Sequence, residues 1–316
     1  MVKNYNFIYS TSNEYAPYCA TSINSLLINN SDMISEGEVA VYILSHDLDE
    51  RNKKVLSSVC VNYNAKIKIV NCKDKVLELL SCGAKLNFNP SSFIRIFIPQ
   101  LFQDVDKALF VDSDTYINGS LKEMYDIDLT DSPCAMCCNS PVYREMQEEA
   151  NIDIAEPYYN AGIMLMNLKY WREHNLVDRM LQFYFSKKEG FPTDDQSVIN
   201  AFVASNAVRL PYKYNMMIVI AYSSYKKFCS INLPVGCCAK KEYVEAQESP
   251  AIIHFNGPGV RPWEMLCAHP YTKMYRKMLF SLYPDIKLTS HRGKVYLLAQ
   301  YFKHKIVDNI EKIINK

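Results

Sequence analysis

The stretch LFVDSDTYIN, Leu109 to Asn118, restricts the fold more than any other part of the chain. Leu109, Phe110 and Val111 follow one another without polar alternation, the pattern of a strand covered on both faces in the parallel or mixed sheet of an α/β protein. The run ends in Asp112 and Asp114, separated by Ser113. In such sheets ligands bind outside the carboxyl ends of the strands. Two carboxylates this close repel one another unless a cation or hydrogen-bond donors neutralise them. Oxygen ligands of this hardness suit Mg²⁺ or Mn²⁺.

The segments before it supply such a sheet. Tyr5–Thr11 reads as a strand and Ala16–Asn30 as a helix with Pro17 in its first turn. Glu38–Ser45 reads as a second strand, Asp49–Val61 as a helix with an acidic start, and Ala65–Val70 as an alternating strand nearer an edge. This β-α-β-α-β order predicts right-handed crossovers and a largely parallel sheet. Asp74–Leu86 reads as helical. Ser91–Phe102, SSFIRIFIPQLF, reads as an apolar helix interrupted by Arg95. A buried arginine must be paired, so Arg95 either bridges an acid for structure or points into the site toward a carboxylate or phosphate.

Beyond the strand Lys107–Asp114, Pro133–Cys138 reads as another buried strand. Tyr159–Trp171, YNAGIMLMNLKYW, reads as an apolar strand opened by Asn160, Ala161 and Gly162, residues that let something approach the backbone. Arg172–Lys187 has the pattern of an amphipathic helix. Phe191–Phe202 starts a further helix, where capping by Thr193, Asp194 or Asp195 is enough to explain those residues. Ala207–Asn215 reads as a strand, and Met216–Ser249 has no clear period. In Ala251–Trp263, AIIHFNGPGVRPW, an apolar strand ends in His254 and a Gly- and Pro-rich loop carries Arg261. A histidine at a strand end can complete a metal site and the loop can hold phosphate, although a lone histidine is more often structural.

Composition sets outer limits. With 316 residues and 49% apolar content the chain can build one large core, and 35 basic against 34 acidic residues give no global field for nucleic acid. The absence of a long apolar run or a signal-like start predicts a cytoplasmic protein. The 11 cysteines are odd in number and spread through apolar segments, which predicts reduced, buried thiols rather than a disulfide framework or a zinc site built from Cys134, Cys137, Cys138, Cys237 and Cys238. From Leu266 the chain reads as helical. After Ile286 it holds seven Lys or Arg residues against two acids, interleaved with Val295, Tyr296, Leu297, Leu298, Tyr301, Phe302, Ile306, Ile310 and Ile313. This basic amphipathic tail is read as lying on an anionic membrane surface, with docking on the core as the competing reading. The expected organisation is one domain, 1–285, and the tail, 286–316.

Taken together and in order, IYSTSNEYAPYCATSINSLL, SSFIRIFIPQLF, LFVDSDTYIN, YYNAGIMLMNLKYWR, TDDQSVIN and HFNGPGVRPW resemble the retaining glycosyltransferases of family 8. That group contains bacterial lipopolysaccharide galactosyl- and glucosyltransferases and the glycogenins. The resemblance runs over roughly residues 5 to 275. It implies a GT-A fold, a Rossmann-like mixed sheet flanked by helices with a helical C-terminal extension. It also implies transfer of a hexose, glucose or galactose, from a UDP-sugar to a hydroxyl of an oligosaccharide or lipid-linked glycan acceptor, as in lipopolysaccharide or capsule synthesis. Asp112, Asp114 and His254 would hold Mn²⁺ or Mg²⁺ on the diphosphate. Gly257 and Arg261 would contact phosphate, while Ser12, Tyr15 and Ser113 would face the nucleotide. Arg95, Asn160, Ala161 and Gly162 would line the donor side. Asp195 and Gln196 would contact the donor sugar and support catalysis.

The chain departs from the family pattern at several points. Ser12 stands where the family has an acid that helps to read uracil. The usual D-Q-D is Asp195, Gln196, Ser197, and Asn139 stands near a frequent sugar-contacting acid. The last motif is one residue longer and carries Arg261 for lysine, although arginine also binds diphosphate, bidentately. No motif carboxylate is an obvious nucleophile, unlike the paired acids of retaining glycosidases, so a front-face route is expected. Two other readings stand beside this one: a nucleotide-sugar or glycan binder that has lost turnover, and a metal-dependent phosphohydrolase, which would want more ligands for a two-metal site.

Overall fold

The computed structural model of the chain describes residues 3–83, 90–187, 195–232, 235–257, 260–267 and 269–290, with Ile306 and Ile310. Nine strands occur among them: β1 (Lys3–Ser10), β2 (Gly37–Ser45), β3 (Lys66–Asn71), β4 (Lys107–Asp112), β5 (Thr115–Ile117), β6 (Cys134–Cys138), β7 (Tyr159–Asn167), β8 (Val208–Arg209) and β9 (Ile252–His254). Seven form one mixed sheet in the order β3-β2-β1-β4-β7-β6-β8, and β5 pairs with β9 in a second, small ladder. β3, β2, β1 and β4 are mutually parallel, and β7 joins β4 antiparallel.

The apolar runs explain why this sheet is central. Phe7, Ile8 and Tyr9 on β1 and Ala108 to Val111 on β4 are all buried, since helices cover both faces. β3 alternates exposed and half-buried positions and forms one edge, as its sequence predicts. Burying each of these large side chains contributes on the order of 2 kcal/mol. The sheet reverses its winding between β1 and β4, where Ser10 pairs with Asp112. Ligands of open α/β sheets bind at such a point.

Several boundaries differ from expectation, each for a local reason. Ser91–Phe102 is not one helix: Pro90–Phe93 is α-helical, Ile94–Phe97 a 3₁₀ turn and Ile98–Leu101 α-helical again. Pro99 offers no N–H to continue a ladder, and the tighter turn buries all four residues from Ile94 to Phe97, Arg95 included. The strand from Tyr159 ends at Asn167, not Trp171, because the Asn167 carboxamide accepts the Tyr170 N–H and caps a helix, Leu168–Glu173. Asn175, in the left-handed region at φ 49°, then separates that helix from Leu176–Ser186. The strand expected over Ala207–Asn215 shrinks to β8, followed by Pro211 and a 3₁₀ turn, Tyr212–Tyr214. The strand predicted to start the 251–263 stretch is only β9.

The thiol expectation fails at two positions. Cys229 and Cys237 form a disulfide across eight residues, joining the middle of the helix Tyr225–Asn232 to the loop after it. The other nine cysteines are free, and only Cys82 is exposed. Burial drives the thiols of Cys19, Cys60 and Cys238 up to about 12, as expected of inert packing groups.

Among the described residues no helix is long and apolar enough to cross a membrane. The expected basic tail lies outside the described residues from His291 on, apart from Ile306 and Ile310, both exposed. Its first part stays on the body: Thr289 donates its N–H to the Trp263 carbonyl at 2.8 Å, and Met265 donates to that of Thr289 at 3.1 Å. Cap candidates Thr193 and Asp194 also lie outside the described residues.

Candidate active site

Four pieces of backbone converge at the carboxyl end of β4. Asp112 is the last residue of that strand, and a tight turn returns the chain into β5. β5 runs antiparallel to β9 with Thr115 opposite His254, so the ladder brings the histidine beside Asp114. Asp114 also accepts the Phe255 N–H at 2.9 Å on its backbone carbonyl. Antiparallel to β4, β7 presents Asn160, Ala161 and Gly162 from its first residues. The helix Asp195–Val203 is clamped to β7 by Asn200, whose oxygen accepts the Tyr159 N–H at 2.7 Å and whose amino group donates to the Tyr159 carbonyl at 2.8 Å. One turn earlier on that helix, Gln196 sits over Ala161.

The three candidate metal ligands lie together. One ligand atom each from Asp112, Asp114 and His254 falls within 4.8 Å of the others. His254 Nε2 is 3.1 Å from Asp114 Oδ1 and 3.8 Å from Asp112 Oδ2. Gly162 forms the floor of this cluster. A Cβ there would come within 2.5 Å of both Asp112 Oδ2 and His254 Cε1, so only glycine leaves the three ligands their space. The donor set, two carboxylates and an imidazole around a cradle that a side chain would fill, fits a divalent cation such as Mn²⁺ or Mg²⁺.

Of the two readings its sequence left open, Arg95 meets the first, pairing with acids, and it does so on the wall of the cavity. Its guanidinium pairs with Asp112 Oδ1 at 3.0 Å and with Asp195 Oδ2 at 2.8 Å, donates to the Ala161 carbonyl at 2.7 Å, and packs on the Phe110 ring. It is therefore a buried ion pair that also ties the strand-end acid to the helix acid. Charge shapes the titration of the group. Burial raises the Asp112 carboxyl above its usual range, with Arg95 opposing and Asp114 adding to the rise. Burial pushes Asp114 the same way, but His254 outweighs it and the carboxyl lies below its usual range. For His254 burial disfavours the cation, yet the bonded Asp114 more than compensates, and its pKa is raised.

All fourteen residues singled out from the sequence (Ser12, Tyr15, Arg95, Asp112, Ser113, Asp114, Asn160, Ala161, Gly162, Asp195, Gln196, His254, Gly257 and Arg261) line one cavity of about 540 Å³. Ser12 is buried and its hydroxyl has no hydrogen-bond partner among the described residues. Tyr15 meets Trp263 edge to face, and Trp263 stacks on Tyr18 at 4.1 Å, which anchors the loop carrying Arg261 to the first helix. The Arg261 Nε is buried and likewise without a protein acceptor among the described residues.

Five further residues line the cavity and were not singled out: Ser10, Thr11, Ser91, Ser92 and Asn256. All lie inside or beside the quoted motifs, so their signal was position rather than chemistry. Asn215 carried no motif at all. It is fully buried, and its oxygen lies 3.0 Å from His254 Nδ1. Two departures fall outside the cavity wall: Asn139 accepts from Asn160 at 3.1 Å, and Ser197, fully buried, bonds the Tyr158 hydroxyl at 2.9 Å.

Comparison with known proteins gives a consistent result. A family model described as Glycosyl transferase family 8 matches residues 6–267. General stress protein A of Bacillus subtilis (strain 168) is 24% identical over 265 residues, covering 83% of this chain and 88% of that protein. Lipopolysaccharide 1,2-glucosyltransferase of Escherichia coli (strain K12) is 22% identical over 284 residues, covering 86% and 76%. Among solved structures, the galactosyltransferase LgtC in complex with donor and acceptor sugar analogs superposes with a TM-score of 0.73 at 19% identity, over 92% of this chain and 98% of that one. The mixed seven-stranded sheet described above is thus the GT-A fold expected from the sequence.

Proposed function

Because this chain belongs to glycosyltransferase family 8 and is a glycosyltransferase, we propose that it transfers a hexose, glucose or galactose, from a UDP-sugar to a hydroxyl of a glycan acceptor, with retention of configuration and with a divalent cation. The observation that carries this reading is the convergence of Asp112, Asp114 and His254, the Gly257 and Arg261 loop, and Asp195 with Gln196 on one cavity. Relatives named as lipopolysaccharide glucosyl- and galactosyltransferases favour a surface-glycan acceptor.

Asp112, Asp114 and His254 would hold Mn²⁺ or Mg²⁺, which supplies Lewis-acid neutralisation of charge on the departing diphosphate. Arg261 binds the same diphosphate through its unpartnered guanidinium edge, and the Gly257 backbone leaves room for the phosphate to approach. Ser12 and Tyr15, at the mouth of the first loop, hold the nucleobase end. Asn160, Ala161, Gly162 and Asp195 surround the sugar, and Gln196 lies beside its reactive carbon. Asp195 is a poor nucleophile, because Arg95 holds its carboxylate in a buried ion pair. That pairing supports a front-face route in which the leaving phosphate takes the acceptor proton, with Gln196 as electrostatic support through hydrogen bonds to the sugar. The arrangement also argues against a phosphohydrolase, since among the described residues the Asp112, Asp114 and His254 group is the one cluster able to hold a metal.

We read the tail from residue 286, whose first residues stay on the body, as a basic element that beyond residue 290 docks on an anionic membrane surface near a lipid-linked acceptor; its composition supports this. Titration calorimetry of UDP with and without Mn²⁺, followed by hydrolysis of a panel of UDP-sugars, tests the functional reading. Metal-dependent UDP binding with hydrolysis of one or two UDP-hexoses is the expected result. Tight binding without any hydrolysis or transfer would turn the assignment to a binding protein, and release of phosphate from unrelated phosphoesters would turn it to a hydrolase.

A further inference from the structure

Two donors in this site are fixed by covalent chemistry, because they are backbone N–H groups. The N–H of Ala161 lies 3.1 Å from one polar atom of the Gln196 carboxamide, so that atom is the oxygen. The N–H of Gly162 lies 3.1 Å from one polar atom of Asn160, which is therefore also an oxygen. Once the oxygen of an amide is fixed, its amino group is fixed too.

The consequences run through the network in one direction. The Asn160 oxygen is also 2.9 Å from the Asn215 side chain, which must present its amino group there. The opposite end of Asn215 is then its oxygen, and it faces His254 Nδ1 at 3.0 Å. An oxygen accepts only from a protonated nitrogen, so Nδ1 carries hydrogen; by the same rule Nε2, 3.1 Å from Asp114 Oδ1, carries one too in the cation-free site, and it is the Nε2 proton that a bound cation would displace. On the other side, the Asn160 amino group donates to Gln196 Oε1 at 3.2 Å and to Asn139 Oδ1 at 3.1 Å. The Gln196 oxygen thus already accepts from Asn160 and Ala161, and the amino group is the end left for the cavity that Gln196 lines.

We propose that Asn215 and Asn160 are positioning residues that pass hydrogen bonds one way, from His254 to Gln196. The relay holds neutral His254 as the Nδ1–H tautomer, with its Nε2 lone pair toward the cation, and turns the Gln196 amino group toward the donor sugar as a hydrogen-bond donor. It rests on the reading of Asp112, Asp114 and His254 as cation ligands. Asn215 is fully buried and lines no part of the cavity, so its effect passes through its neighbours.

Two measurements test this. In protein labelled with ¹⁵N-histidine and saturated with Mg²⁺ and UDP, long-range ¹H–¹⁵N correlations report the His254 ring, assigned by its loss in His254→Gln. A proton on Nδ1 is expected, and a neutral ring protonated on Nε2 would overturn the relay. In Asn215→Leu, Mn²⁺ affinity in the presence of UDP should fall about 10- to 100-fold, with an unchanged far-ultraviolet dichroism spectrum. Unchanged affinity in a folded variant also refutes the proposal. Should Asn215→Leu not fold, the ring measurement on the unmodified protein decides. If the unmodified protein binds no divalent cation, the metal reading fails, while a slowly exchanging Nδ1 proton that is lost in Asn215→Leu still supports the relay, and its absence from the parent refutes it.

Discussion

The two halves of the cavity are built on different principles. One half, which the proposed function gives to the cation, is charged: Asp112, Asp114, His254 and Arg95 are held by ion pairs of 2.8 to 3.8 Å that also involve Asp195. The other half, which the proposed function gives to the sugar, is neutral apart from Asp195: Asn160 and Gln196 on the cavity wall, with Asn139 and Asn215 behind them, are held by directional amide hydrogen bonds. Charges tolerate variation in angle but respond to pH and to a bound cation, whereas carboxamides do neither and impose orientation. On the proposed function, the first half would take up and release a metal and a diphosphate, and the second would hold a reacting sugar in one pose. His254 belongs to both, with one ring nitrogen on each side.

The largest effects should follow damage to the charged half. Asp112→Asn or Asp114→Asn removes an anionic ligand while keeping the volume. Since a metal ion contributes several kcal/mol to stabilising a leaving group and each 1.36 kcal/mol is tenfold in rate, transfer should drop by about 10³-fold or more. A donor-hydrolysis assay across a Mn²⁺ series checks this, and near wild-type turnover in either variant would remove the metal from the mechanism. Next in size is Gly162→Ala. It adds no charge and removes none, but its methyl would sit within 2.5 Å of Asp112 Oδ2 and His254 Cε1. The ligands must spread, so cation affinity should fall by roughly 10- to 100-fold, the range seen when the supports of a metal site are lost. Calorimetric titration with Mn²⁺ reads it, and an alanine variant that binds like the parent would show that the cluster is not the cation site.

A pH series separates the halves with no mutation. The raised pKa of His254 comes from its pairing with Asp114 against the cost of burial. That pairing stabilises the metal-free fold below the unfolded-state pKa of histidine, and the contribution is lost as pH rises through the folded value. Cation binding runs the other way, since a ligand must shed its proton, and the raised pKa of Asp112 adds to the same demand. Below the raised histidine pKa, Mn²⁺ affinity should fall by about tenfold per pH unit, one proton being displaced per ion. Amide contacts on the sugar side have nothing to titrate. An affinity flat from pH 5 to 8 would contradict the placement of His254 on the cation.

The sequence was most legible where chemistry and sheet geometry coincide. An apolar run ending in two acids is both a buried strand and a ligand-bearing strand end, so β4 and its carboxylates could be read together. Likewise the six motifs carried every residue singled out for the site onto one cavity. Asn215 was not legible, because an asparagine at the end of an expected strand, beside a segment without periodicity, looks like any polar residue. Its position depends on the pairing of Met216 with β9, a contact between segments far apart in the chain. The Cys229–Cys237 bridge was missed for a related reason. Composition and compartment argue about cysteines in bulk, whereas a bond needs two particular sulfur atoms brought together by a short helix and its following loop. The broken helix around Arg95 shows the same limit, since periodicity does not reveal that two distant carboxylates will hold an arginine inside.

The smallest expected effect marks where the sugar-facing half ends. Ser197 stands where a second acid would complete the D-Q-D pattern, and read as a motif it belongs next to Gln196 in the chemistry. In the fold it points the other way: it is fully buried, bonds the Tyr158 hydroxyl at 2.9 Å and lines no part of the cavity. Ser197→Ala therefore removes a packing hydrogen bond worth about 1 kcal/mol, which should lower the melting temperature by a few degrees at most. Donor hydrolysis should stay within about twofold of the parent, because one lost hydrogen bond behind the helix gives the sugar no new contact. If kcat instead fell tenfold or more with the melting temperature unchanged, Ser197 would have to reach the sugar, and the neutral half of the site would extend one residue further along the helix.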